Sequence, residues 1–237
     1  MVMSQRKKKR LVVLTGAGMS AESGLSTFRD ADGLWENEPV AEVATHEAIL
    51  RDPARCICFA NKLRLGCAAA QPNAGHKLLA ELEQDYDVTI VTQNIDDLHE
   101  RAGSSHVIHL HGELMKCCTM DDPETPLPLP DGKLEMAIDA TDRSGRRLRP
   151  FIVYFGEGVP RMSDAIRATG AADIFLIIGT SLVVYPAAGL STCAPDGIPK
   201  FLIDPKPVPV PGDFEQIHEG ASAGVRHFVD LLRERNL

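Results

Sequence analysis

Apolar residues cluster in short uninterrupted runs along this chain. Four of them, 11–14 (LVVL), 88–91 (VTIV), 174–178 (IFLII) and 201–203 (FLI), each lead into glycine, small or polar residues. Runs this short and continuous predict strands buried on both faces of a parallel sheet. A further short run, 107–110, predicts another strand. Between the runs, helices are predicted over 76–83, 163–169 and 224–235. In the last, Val225, Phe228, Val229 and Leu232 fall on one face at steps of three and four. Strand–helix alternation predicts an α/β fold, a Rossmann-like, doubly wound parallel sheet. Two stretches break the alternation. Residues 31–74 carry acidic turns and a helix over 55–70, and residues 112–150 read as loop, with Pro123, Pro126, Pro128 and Pro130 close together. These two insertions are expected to pack as a small second domain. The large domain is then 1–30, 75–111 and 151–237, the whole chain 1–237 is one catalytic unit, and a cleft lies between the parts.

Composition narrows the function classes. The 237 residues are 44% hydrophobic and 24% charged, the balance of a globular protein. A net charge of -8 argues against a nucleic-acid partner, and 5% aromatics argue against a base-stacking platform. No apolar run approaches the ~20 residues of a membrane-spanning helix. The basic start MVMSQRKKKR precedes only a four-residue apolar run, short of the ~7–15 residues of a secretory signal. Six cysteines without framework spacing fit a reducing compartment. A cytoplasmic protein with no membrane partner is the expectation.

The strand ends carry the chemistry. After the first run stands Gly16-Ala17-Gly18-Met19-Ser20-Ala21, the G-x-G-x-x-G/A pattern that lets a backbone approach a pyrophosphate at a helix N-terminus. Such a turn is also often only a turn. No second strand bearing an acidic residue follows at the spacing a hydride-transfer enzyme needs. The second run ends in Thr92-Gln93-Asn94-Ile95-Asp96-Asp97. Asn94 can pair with a carboxamide and Asp96 with a hydroxyl, or either can cap the next helix. The third run ends in Gly179-Thr180-Ser181, a second small-residue nest, and the fourth at Asp204. In His109-Leu110-His111-Gly112 an extended backbone would turn both histidines to one face. His111 could then titrate in a cleft, or simply pack.

Together, GAGMSAESGLSTFR (16–29), TQNIDDLHERAG (92–103), HLHGEL (109–114), VYFGE (153–157) and GTSLVVYP (179–186) resemble the sirtuins, NAD-dependent protein-lysine deacylases. STFRDADGLW (26–35) is most similar to the branch containing the acidic-acyl-lysine deacylases, with Thr27 replacing the commoner Asp. The resemblance implies NAD as cofactor. Gly16, Ala17, Gly18 and Ser20 would serve its pyrophosphate side. Phe28 and Arg29 would cover the nicotinamide ribose, and Gln93, Asn94, Ile95 and Asp96 would hold nicotinamide and ribose. Gly179, Thr180 and Ser181, with Asp204 and Ala221, would complete the phosphate and adenosine side. Residues 153–157, including Val153, Phe155, Gly156 and Glu157, would pair with an acylated-lysine protein or peptide as an added strand. His111 would be the general base, with Asn94 also catalytic. The acyl group would pass to ADP-ribose with release of nicotinamide. A mono-ADP-ribosyltransferase and a non-catalytic NAD or ADP-ribose-binding module are the alternatives. A monomer is expected.

Two departures stand out. Most sirtuins carry zinc on two cysteine pairs, but residues 112–150 hold only the adjacent Cys117 and Cys118, so no zinc is expected. The acidic-acyl branch has Tyr and Arg at i, i+3 after Phe. Ala60 and Leu63 stand there after Phe59, either as plain residues of an apolar helix face or as the wall of a wider apolar acyl pocket, unless Arg64 turns inward to replace the missing Arg.

Overall fold

The computed structural model describes residues 7–26, 34–36 and 38–237. The chain enters through β1 (Arg10–Thr15). Short pairing strands β2 (Leu34–Trp35) and β3 (Glu38–Pro39) lead into α1 (Val40–Val43) and α2 (His46–Arg51). Next comes α3 (Pro53–Ala69). Its start is fixed locally: Pro53 occupies the first turn and the Asp52 carboxylate accepts from Arg55 N at 3.0 Å. Helix α4 (Ala74–Glu81), strand β4 (Asp87–Thr92), helix α5 (Leu98–Ala102) and strand β5 (Val107–His109) return the chain to the main sheet. Then follow β6 (Gly112–Thr119), β7 (Leu127–Pro128), β8 (Leu148–Ile152), α6 (Met162–Gly170), β9 (Ile174–Ile178), β10 (Lys200–Ile203), β11 (Glu215–Ile217) and α7 (Ala221–Glu234).

The main sheet is all parallel in the order β11-β10-β9-β1-β4-β5. Its strands alternate between two cores. Leu11, Val13, Leu176 and Phe201 meet α4 and α7 on one face, through Leu79, Val225 and Phe228. Val12, Leu14, Phe175, Ile177 and Leu202 meet Ala165 of α6 and the 187–192 turn on the other. Both faces are therefore dry, which is why these strands read as continuous apolar runs. The order reverses at β1, with β9 on one side and β4 on the other, the switch point at which such sheets place their ligands.

Two local expectations are corrected. Residues 112–150 are not a loop: β6 pairs antiparallel with β7 and β8 in a second sheet. Its burial follows neither a continuous nor an alternating pattern, because Cys117, Leu148 and Met136 pack on Ile57 of the distant α3. After Gly16 the chain forms two short 3₁₀ turns, 17–19 and 21–23, instead of one α-helix.

Candidate active site

The carboxyl ends of β1, β4, β9 and β10 open into one cavity of about 920 Å³. Gly16, Ala17, Gly18, Ser20, Gln93, Asn94, Ile95, Asp96, His111, Gly179, Thr180, Ser181, Asp204 and Ala221 all line it. Phe28 and Arg29 lie outside the described residues.

Two glycine turns form the floor. Gly18 N donates to Gly179 O at 2.9 Å and Gly16 N to Ile178 O at 3.0 Å. A Cβ on Gly18 would sit 2.6 Å from Gly179 Cα, and one on Gly16 would sit 2.7 Å from Thr180 Cβ. Gly179 also takes φ +61°, the left-handed region. The turns interlock only because none of the three has a side chain, and the space above them stays open to a ligand such as a dinucleotide.

A buried polar cluster faces this cradle. Asn94 Nδ2 donates to Ser20 Oγ at 3.0 Å, and Ser20 Oγ donates to Asp96 Oδ2 at 2.9 Å. Asp96 Oδ1 accepts from Leu98 N at 3.1 Å, so this carboxylate both serves the cluster and closes the turn that leads into α5. Burial raises the Asp96 carboxyl, against the opposing bonds from Leu98 N–H and the Ser20 hydroxyl. Asn94 N donates to Thr92 Oγ1, which also accepts from Thr15 Oγ1 at 2.8 Å. Gln93 Nε2 donates to Thr180 Oγ1 at 3.1 Å, tying the β4 end to the β9 end.

The two histidines part company. Strand β5 stops at His109, so the shared face expected from an extended 109–111 does not form. His109 is buried, with Nδ1 3.1 Å from Asn94 O and Nε2 2.7 Å from Glu100 Oε1. Burial works against its charge, but the Glu100 carboxylate and the Asn94 carbonyl outweigh it and raise the pKa. His111 lines the cavity and its Nδ1 donates to Gln93 O at 2.9 Å. That tautomer leaves the lone pair on Nε2. Burial lowers the His111 pKa against the Gln93 bond, so the ring is neutral at pH 7.

The substrate-side expectations are partly corrected. Val153, Phe155, Gly156 and Glu157 line the cavity mouth. However, Val153 N donates to His111 O, Phe155 N to Ala44 O, and Phe155 O accepts from His46 N, all at 2.9 Å. This backbone is already engaged at Val153 and Phe155, leaving less of an edge for an added strand. Glu157 is an anchor. Its carboxylate takes both Nη atoms of Arg149 at 2.7 and 2.9 Å, Tyr154 N at 3.0 Å, and lies 3.0 Å from His46 Nδ1. Ala60 is not in the cavity lining: it is buried in a hydrophobic cluster that also holds Ala48, Ile49 and Tyr154. Leu63 does reach it, with Gly66 and Cys67 one turn further on. Sequence reasoning missed Gly66 and Cys67, though their i+3, i+4 spacing from Leu63 on a predicted helix was the available signal. Tyr154, inside the 153–157 block, stands in the same wall, and the Thr15–Thr92 hydroxyl pair had no local signal.

The Sir2 family model matches residues 16–186, the stretch that supplies most of these groups. The chain belongs to the Sir2 family. It is 54% identical over 229 residues to an NAD-dependent protein deacylase of Bacteroides thetaiotaomicron, covering 94% of this chain and 98% of that protein. It is 45% identical over 228 residues to an NAD-dependent protein deacylase of Helicobacter pylori strain 26695, covering 95% and 98%. A Sir2 homologue solved with NAD superposes with a TM-score of 0.82 at 36% identity, covering 96% of this chain and 91% of that one. A Sir2 enzyme bound to a propionylated peptide superposes with a TM-score of 0.78 at 29% identity, covering 97% and 94%. The parallel sheet with a second small sheet is thus the Sir2 fold.

Proposed function

We infer that this Sir2 protein is an NAD-dependent protein-lysine deacylase. The observation that carries the reading is a neutral imidazole, His111, sharing one cavity with the glycine cradle and the Asn94–Ser20–Asp96 cluster. When bound, NAD would supply a ribose that gives up nicotinamide and takes the acyl group, with one water consumed as the lysine amine is freed. The chain's residues bind and orient. The cradle at Gly16, Gly18 and Gly179 takes the pyrophosphate by backbone. Asn94 and Asp96, locked through Ser20, hold the nicotinamide end, and Asp204 with Ala221 receives the adenosine end. His111 Nε2 takes a proton from a hydroxyl and keeps it off the reacting centre.

The acylated lysine of a protein or peptide enters at 153–157. The division into 1–30, 75–111 and 151–237 against 31–74 and 112–150 puts this entry at their junction. We further propose a cytoplasmic monomer without nucleic-acid or membrane partners, on the strength of its net charge of -8 and its cysteine pattern. The 26–35 segment favours the branch containing the acidic-acyl-lysine deacylases.

A structural zinc does not fit the donor set. Cys117 Sγ donates to Pro128 O at 3.1 Å and Cys118 Sγ lies 3.7 Å from Pro150 O, both buried. Among the described residues no third and fourth His, Cys, Asp or Glu joins them in a group that could hold a metal ion, and a tetrahedral site needs four ligands.

The test is mass spectrometry of acyl-lysine peptides with NAD. One nicotinamide is expected per lysine freed. His111→Ala and Asn94→Ala are each expected to lose at least ~10²-fold in kcat/KM. Unchanged turnover in His111→Ala would sink the mechanism, and label from NAD appearing on protein without loss of acyl would favour ADP-ribosyl transfer.

A further inference from the structure

We propose that His109 is a positioning residue for the nicotinamide end of the cavity. Paired with Glu100, its ring fixes the Asn94 carbonyl and stands as counter-charge to Asp96, so that end is fully assembled only while both ring nitrogens carry protons. The proposal rests on the NAD-dependent deacylase reading above.

Among the described residues, Asn94 is held through its N–H, its carbonyl and its side-chain Nδ2. The N–H donates to Thr92 Oγ1 at 3.0 Å, the carbonyl faces His109 Nδ1 at 3.1 Å, and Nδ2 donates to Ser20 Oγ at 3.0 Å. The Ser20 hydroxyl gives its proton to Asp96 Oδ2, so it can only accept from the amide, and this fixes which way the amide points. Oδ1 is left as the acceptor that Asn94, a cavity-lining residue, can offer a ligand. Of the three direct partners of Asn94, only His109 titrates near neutrality.

The His109 ring, buried at the end of β5, has an acceptor at each nitrogen. The Asn94 carbonyl at Nδ1 can only accept. Glu100 Oε1 lies 2.7 Å from Nε2. Burial raises the Glu100 carboxyl, but the His109 bond and charge outweigh it, so Glu100 is an ionised acceptor too. Both bonds therefore form together only in the doubly protonated ring. A neutral ring keeps one proton, and the carboxylate is the stronger acceptor, so the bond given up is the one to Asn94. The surrounding charges favour the charged ring. Glu113 of β6 adds to the pull of Glu100, and it pairs with Lys116 of β6 at 2.6 Å. His99 of α5 is buried with its pKa well below 6.5 and brings no competing charge at neutral pH. At Asp96, burial raises the carboxyl and Asp97 adds to the rise, while the His109 charge opposes both. Deprotonation of His109 would thus release the Asn94 carbonyl and remove the Asp96 counter-charge in one event.

The test combines 15N NMR of the histidine rings in the labelled full chain with pH profiles of NAD affinity, by calorimetry, and of kcat/KM for NAD on one acetyl-lysine peptide. The His109 signals are identified by their loss in His109→Gln. His109 is expected to carry both protons at pH 6 and to titrate above pH 6.5, with NAD affinity and kcat/KM falling on the basic side through the same midpoint. Glu100→Gln keeps an acceptor for Nε2 but removes its charge, and should move the His109 midpoint and the basic limb down together by about one pH unit. His109→Gln can make only one of the two bonds; it should abolish the basic limb and lower kcat/KM at pH 6.5 by about tenfold. An absent basic limb, or one that stays in place in Glu100→Gln while the His109 midpoint moves, overturns the proposal. A His109 ring that carries a single proton throughout overturns it as well. If NAD affinity follows the His109 midpoint but no peptide loses its acyl group, the positioning role stands and the deacylase reading fails.

Discussion

At the residue scale the protein separates two histidines that stand two positions apart. His109 faces a carboxylate and a carbonyl, which raise its pKa; His111 faces one carbonyl, and burial lowers its pKa. The consequence is a pH profile. A base with its pKa lowered below the usual 6.5 is unprotonated through pH 7 and loses activity only as pH falls through its lowered value. The acid limb of kcat/KM is therefore expected below pH 6.5, and should be absent from the residual activity of His111→Ala. An acid limb above 6.5 in the native enzyme would contradict the assignment. His109 runs the other way. Its raised pKa adds stability that is full below the unfolded value and is lost as pH rises through the folded one.

At the element scale two buried contacts do most to fix the site's frame. Helices α4 and α5 meet through His76 and His99, whose rings stand edge to face with centroids 4.8 Å apart. Neither His76 nitrogen has a partner, and burial lowers its pKa to about 4. Its folded pKa is depressed, so stability is full above the unfolded value near 6.5 and is lost as pH falls toward 4. The loss from His76 alone amounts to about 3 kcal/mol at most. His76→Leu should therefore flatten the fall in melting temperature between pH 7 and pH 5; an unaltered fall would refute the account. The second contact is the bidentate Arg149–Glu157 pair, which joins β8 to the segment at the cavity mouth. Both side chains are largely buried, so removing one strands the other. Arg149→Leu is expected to cost about 3–5 kcal/mol in urea unfolding. A cost under about 1 kcal/mol would show the pair to be dispensable.

At the scale of the whole molecule, protein contacts join the second sheet to the first. The packing of Ile57, Cys117, Met136 and Leu148 fixes the second sheet to α3, and Arg101 of α5, donating to Cys67 O at 3.1 Å and Ala70 O at 2.7 Å, with Leu114 N donating to Ile95 O at 2.8 Å, ties that unit to the main sheet. Purified protein is accordingly expected to contain far less than one zinc per chain, and chelators to leave its melting temperature unchanged. About one zinc per chain by elemental analysis would overturn this. Ligand binding at the junction should act in the opposite sense. ADP-ribose at a hundred times its Kd is expected to stabilise the fold by about 2.7 kcal/mol.

What the sequence determined by itself is the part of the protein in which neighbours in the chain are neighbours in space. The five apolar runs became strands of the main sheet; the four inner ones were legible because a strand dry on both faces needs no partner's pattern to be recognised, and β5 pairs at the edge. The ligand-type residues at the ends of four of them, with His111, converge on one cavity, because parallel strands deliver all their carboxyl ends to the same edge. Tertiary structure decided the rest. Strand β6 exists because α3 lies across it, some fifty residues earlier in the chain. Glu157 became an anchor because Arg149 reached it, and Arg64 was drawn inward by the Leu114 carbonyl, leaving Leu63 at the cavity. A one-dimensional pattern shows what a side chain can bond to, but which partner it takes depends on long-range packing that closes only when the two sheets meet.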